Sequence, residues 1–230
     1  MLGPVDYLLF LADLLIEVCC LICLLKNRAF SRYFTIVLYL CASMAVGIAR
    51  YTIIATAGFH SNAYLYFFYY SDALLTICLY FILMSLYSHV FAEMGISTLL
   101  RGGAMLLLAC TTAISYHMVA TSEDKLVTHF VYELSQNLSF IGVLLTYLLW
   151  GAMMKLRENR TRLMQLVLTM GVYFSAFAGS YALGNMYPTF QLWRYICHLM
   201  VIWLPISWAY TFMKVPEDTR IATSVLAPNR

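Results

Sequence analysis

Apolar residues run along this chain in seven long stretches separated by short polar links: Val5 to Leu25, Tyr33 to Thr56, Tyr64 to Val90, Leu100 to Ala120, Val127 to Met154, Leu163 to Leu183 and Phe190 to Met213. Each is close to the ~20 residues that an α-helix needs to cross the hydrocarbon core of a bilayer. The stretches are continuously apolar rather than alternating, and lipid offers no partner for an unpaired backbone group. The pattern therefore predicts helices and not barrel strands. The expected fold class is all-α: a polytopic bundle of seven transmembrane helices forming a single domain over residues 1–230, with 214–230 as a short tail.

Composition agrees with the pattern. Of 230 residues, 63% are hydrophobic and 11% charged, where soluble domains carry ~25% charged residues. A soluble enzyme is excluded, because one core of this size could not bury so much apolar surface. The net charge of +3 does not point to nucleic acid, since the basic residues flank the apolar runs instead of forming a stripe. The 7 cysteines all lie inside the runs, as small apolar groups rather than a disulfide framework. No lysine or arginine precedes Lys26, and Asp13 and Glu17 interrupt the first run, which argues against a cleaved signal peptide.

The links decide orientation. Lys26, Arg28, Arg32, Arg101, Lys155, Arg157, Arg160, Arg162, Lys214, Arg220 and Arg230 flank one side, whereas the links on the other side hold only Lys125, beside Glu123 and Asp124. By the positive-inside rule the N-terminus is expected outside and the C-terminus in the cytoplasm, in a plasma or bacterial inner membrane. The tail is too short to be an output domain, so a signalling protein of this design would need a cytoplasmic partner.

Ionisable side chains inside a span cost on the order of ~3 kcal/mol each, so they face the bundle interior and pair. Asp6, Asp13 and Glu17 share one stripe of the first run. Arg50 lies in the outer half of the second run, Asp72 in that of the third with Thr76 one turn on, and His117 near the outer end of the fourth. His129, Glu133, Gln136 and Asn137 share a face of the fifth, as do Gln191, Arg194 and His198 of the seventh. This convergence predicts an outward-opening polar cavity lined by Asp13, Glu17, Arg50, Asp72, Glu133, Gln136, Asn137, Arg194 and His198. It would bind a small polar ligand or protons, as a sensor or receptor or as a transporter. The plainer reading is that Arg50 pairs with Asp72 or Asp13, and Arg194 with Glu133, to hold the bundle together.

Two small-residue ridges, Gly171, Ser175, Gly179 and Ala176, Ser180, Gly184, predict close helix packing along the sixth run, either within the bundle or across a homodimer. Pro205 is expected to kink the seventh.

Known membrane chemistries find little to build on. Retinal needs a mid-membrane lysine on the last helix, and the seventh run has none. Ceramidase-like zinc hydrolases carry an H-x-x-x-H pair there, where this chain has Arg194 and His198. A haem would have to use His117 with His198. Cys20-Leu-Ile-Cys23 lies in an apolar helix without a second pair, and the sequons at Asn137 and Asn159 fall in a span and an inner link. No cofactor and no metal site is expected. An enzyme is the less favoured class; a membrane-embedded metal or haem enzyme and a structural subunit of a membrane complex are the alternatives. The compact layout, with Asp72-Ala-Leu-Leu in the third run leading to Leu86-Tyr-Ser-His-Val-Phe91, resembles small uncharacterised bacterial seven-span membrane proteins. That resemblance implies a bacterial inner-membrane location and carries no activity.

Overall fold

The computed structural model describes residues 4–26, 29–58, 61–91, 97–120, 126–155, 161–187 and 192–215. They form seven α-helices: α1 (Pro4–Lys26), α2 (Phe34–Ala57), α3 (Asn62–Val90), α4 (Ser97–Ala120), α5 (Leu126–Lys155), α6 (Thr161–Met186) and α7 (Leu192–Lys214). Each helix falls on one of the seven apolar runs. The described residues contain no strand, and the tail from residue 216 on lies outside them.

Local chemistry marks the ends. Ser61, in an extended conformation, accepts the Tyr64 N–H at 3.1 Å and caps α3. Gly58 stops α2 with φ 86°, a left-handed conformation that a residue without a Cβ adopts freely, and its N–H bonds the Ile54 carbonyl at 3.0 Å. Pro205 lies inside α7 without ending it. Its missing N–H leaves the Val201 carbonyl without the usual helical donor.

Short links make consecutive helices antiparallel. Contacts run α1 to α2, α2 to α3, α3 to α5, α5 to α6, α6 to α7 and α7 back to α1, with α3 touching α6 across the middle. Six helices thus close a ring. α4 lies outside it, against α5 and α3. The core is built from α1, α2, α3, α5, α6 and α7, with Leu24, Leu40, Leu83, Leu138, Phe174 and Trp208 among its buried residues.

Four helical segments are long and apolar enough to cross a membrane: Phe34–Ala57, Asn62–Val90, Phe130–Lys155 and Thr161–Gly184. The outside of the bundle is apolar as well as the inside, with Leu106 64%, Leu144 60% and Met154 64% exposed. A soluble bundle covers such positions with charge; this one has the surface of a membrane protein.

The small residues of the α6 ridges are not packed alike. Gly171 packs on α5, where an added Cβ would lie 3.0 Å from Thr146 Cγ2, whereas Gly179 and Gly184 face open space. Among the described glycines the tightest position is Gly142 of α5, which the ridge pattern does not mark. A Cβ there would lie 2.6 Å from Phe174 Cδ1.

Candidate functional site

Helix parity puts the C-terminal half of α2 beside the N-terminal halves of α3 and α5, and side chains from all three helices meet there. The Arg50 guanidinium donates to Ser71 Oγ from Nε at 3.0 Å and from Nη2 at 2.7 Å, and to the Phe68 carbonyl at 3.3 Å. It also lies over the Phe68 ring, 4.6 Å from the centroid. One residue on, Asp72 accepts from Ser135 Oγ of α5 at 3.3 Å and from the Tyr181 hydroxyl of α6. Arg50 and Asp72 are close enough to act on each other through space. Among the described residues, however, the guanidinium gives its hydrogen bonds to a hydroxyl and a carbonyl and none to a carboxylate. The direct pairing of Arg50 with Asp72 or Asp13 is replaced by a shell of neutral oxygens around each charge, because adjacent Ser71 and Phe68 reach Arg50 first.

Phenols continue the polar surroundings of Asp72 inward. Tyr173, Phe177 and Tyr181 recur every four residues on α6, with rings 4.5 Å apart for the first pair and 6.4 Å for the second. Tyr132 of α5 meets Tyr181 edge-on at 5.2 Å. Tyr39 of α2 is buried, and its hydroxyl lies within electrostatic reach of Asp72, Glu17 and Asp13. That stripe of tyrosines could have been read from the spacing on α6.

The carboxylates of α1 sit apart from Arg50. Glu17 is only 5% exposed and takes a hydrogen bond from Ser43 of α2, with Asp13 one turn away on the same stripe. Asp13 Oδ1 is shut off from solvent and has no hydrogen-bond partner among the described residues.

The remaining candidates scatter. Asn137 turns to α4, donating from Nδ2 to Ser115 Oγ at 3.0 Å. Gln136 Oε1 is buried without a hydrogen-bond partner among the described residues. Glu133 is partly buried beside Tyr132. Thr76 bonds the Asp72 backbone carbonyl at 2.9 Å and not its side chain. Gln191 and the side chains of Asp6, His129, Arg194 and His198 lie outside the described residues. Of the nine cavity candidates, the seven whose side chains are described do not gather at one point: α1 holds one polar centre, and α2, α3, α5 and α6 share another. Among the described residues, no group of three or more His, Cys, Asp or Glu side chains gathers as metal ligands do. Comparison with protein-family models, curated proteins and solved structures finds no match for this chain.

Proposed function

We propose that the chain is a seven-span protein of the plasma membrane, or inner membrane in a bacterium, with its N-terminus outside, that binds a small polar ligand or protons at Asp72 as a sensor or transporter. All seven helices have at least 23 residues. At ~1.5 Å per residue each is longer than the ~30 Å hydrocarbon layer. The observation that carries the reading is the carboxylate of Asp72, set where three helices meet, ringed by hydroxyls from Ser135 and Tyr181 and, among the described residues, without a cation in direct contact. A purely structural acid in lipid is neutralised by a bonded base. An acid held by hydroxyls and left at a distance from its base keeps room for a proton or for a polar group that bridges the two.

A second reading, a structural subunit of a membrane complex, draws on the Arg50 to Ser71 lock, which ties α2 to α3 with no ligand needed. Vesicles reconstituted with the protein and loaded with a pH-sensitive dye separate the two. A proton or solute flux that Asp72→Asn abolishes and Asp72→Glu partly retains supports transport, and ligand binding without flux supports sensing. Equal behaviour of wild type and Asp72→Asn in both assays, with only folding yield changed, leaves the structural role.

A further inference from the structure

Arg50 and Asp72 leave more of their chemistry unused than two residues placed only to lock helices together. Of the guanidinium, Nε and Nη2 are taken up by Ser71 Oγ and the Phe68 carbonyl, while Nη1 meets no acceptor among the described residues. Its N–H donors and the positive charge are therefore still on offer. Asp72 stands in the same position with the opposite sign. Its carboxylate accepts from two hydroxyls, and Arg50 is the one basic side chain among the described residues that acts on it, through space. Nor is this acid sealed in. Ser71 and Ala73 on either side are 4% and 6% exposed, whereas Asp72 keeps accessible surface although α2, α5 and α6 stand around it. Surface so enclosed opens on a space inside the bundle and not on lipid.

Toward the N-terminal ends of α3 and α5, three tyrosines gather one turn from the acid. Tyr69 lies three residues before Asp72 and Tyr132 three before Ser135, and both are within electrostatic reach of Tyr181 of α6. The rings of Tyr132 and Tyr181 meet edge-on at 5.2 Å. Aromatic rings beside a carboxylate suit an ammonium group, and a guanidinium edge suits a carboxylate. The two charges also restrict the occupant. A plain amine is attracted by Asp72 and repelled by Arg50, and a plain anion the reverse, so that only a molecule carrying both signs is favoured by both at once.

We propose that the Asp72 site takes a small zwitterion of the amino-acid class, with its ammonium on Asp72 beside Tyr132 and Tyr181 and its carboxylate on Arg50 Nη1. This rests on the reading of Asp72 as a ligand site given above and names the chemistry of the ligand. The test is a thermal-unfolding screen of purified full-length protein in detergent against the common L-amino acids, β-alanine and γ-aminobutyrate at millimolar concentration, followed by titration of whichever stabilises most. Two matched derivatives of that compound are titrated beside it: the amide, which lacks the carboxylate, and the N-acetyl form, which lacks the ammonium. The expected result is a saturable rise of the midpoint with at least one zwitterion and binding of both derivatives weaker by ~10-fold or more, as for loss of a charge-assisted hydrogen bond. The zwitterion should lose as much in Arg50→Gln and in Asp72→Asn. The derivatives need only wild type, so the comparison stands even where a variant fails to fold. No rise with any zwitterion overturns the inference, and so does equal binding of either derivative. Binding lost in Arg194→Gln but kept in Arg50→Gln would give the carboxylate to α7 and overturns it as well. In each of these cases the proposed function still stands if Asp72→Asn abolishes a proton or solute flux. A zwitterion that binds Asp72→Asn as tightly as wild type, with flux also unchanged, removes both.

Discussion

A methyl group at Gly142 has nowhere to go, since it would lie 2.6 to 2.7 Å from three atoms of the Phe174 ring, itself buried in the core. Gly142→Ala should therefore cost ~1–3 kcal/mol, the usual range for overpacking. Adding Phe174→Leu should recover part of it. Gly179 has nothing within 4 Å of an added Cβ, and there alanine should be neutral or better, because glycine inside a helix gives up to ~1 kcal/mol away. Thermal unfolding in detergent measures both; equal midpoints for the two alanine variants would show that the α5 to α6 approach is looser than these distances. Hydroxyls obey the same local accounting. Thr111, Thr146, Thr169 and Thr211 each return a hydrogen bond to the carbonyl four residues before them, so in an apolar setting they satisfy themselves and do not mark a polar path.

Among the elements, the end of α7 is held by a residue that reads as an ordinary basic flank. Arg162, in the first turn of α6 and 7% exposed, donates from Nε at 3.0 Å and from Nη2 at 2.8 Å to the Val215 carbonyl, and its guanidinium stands 5.7 Å from the Phe212 ring centre. The last carbonyls of a helix have no donor of their own and form its negative end, so a buried guanidinium there is well placed. The fork lies on one oxygen, which a lysine can meet with only one of its bonds. Phe212 in turn packs on Tyr33 at 5.3 Å, and Tyr33 stacks on His89 of α3 at 5.8 Å, so that α6, α7, the start of α2 and the end of α3 are joined at this end. Arg162→Ala should destabilise by ~2 kcal/mol, as expected for hydrogen bonds from a charged group. Arg162→Lys should restore less than half. Hydrogen exchange of the amides in the last turn of α7 should quicken in both variants, and unchanged exchange there would assign the stability loss to another contact.

For the whole molecule, the expected arrangement is a ring of six helices with α4 outside, in a membrane with the basic links toward the cytoplasm. A reporter fused after Arg230 should be active only if it is cytoplasmic. Single cysteines placed at Ser61 and at Arg32, in a variant with its native cysteines replaced, should label from opposite sides of the membrane. Labelling of both from one side would overturn the orientation and the outward-facing reading of the Asp72 site with it. The seven helices, their approximate ends and the apolar exterior were all legible in the chain, because a bilayer imposes one length, one backbone solution and one hydropathy on every crossing segment. Those constraints act on each segment by itself, so a single sequence carries them. Which polar groups meet was not legible in the same way. Helical periodicity placed Asp13, Glu17, Arg50, Asp72, Gln136 and Asn137 on faces, but it could not say which neighbour each face would meet. The tertiary structure turned Arg50 to Ser71, Asp72 to Ser135 and Tyr181, Asn137 to α4, and left Asp13 Oδ1 with no hydrogen-bond partner among the described residues. It was free to do so because the rotation and order of helices in a bundle are set by side-chain packing between them, such as Phe174 against Gly142, and packing belongs to pairs of helices that no single run of sequence contains.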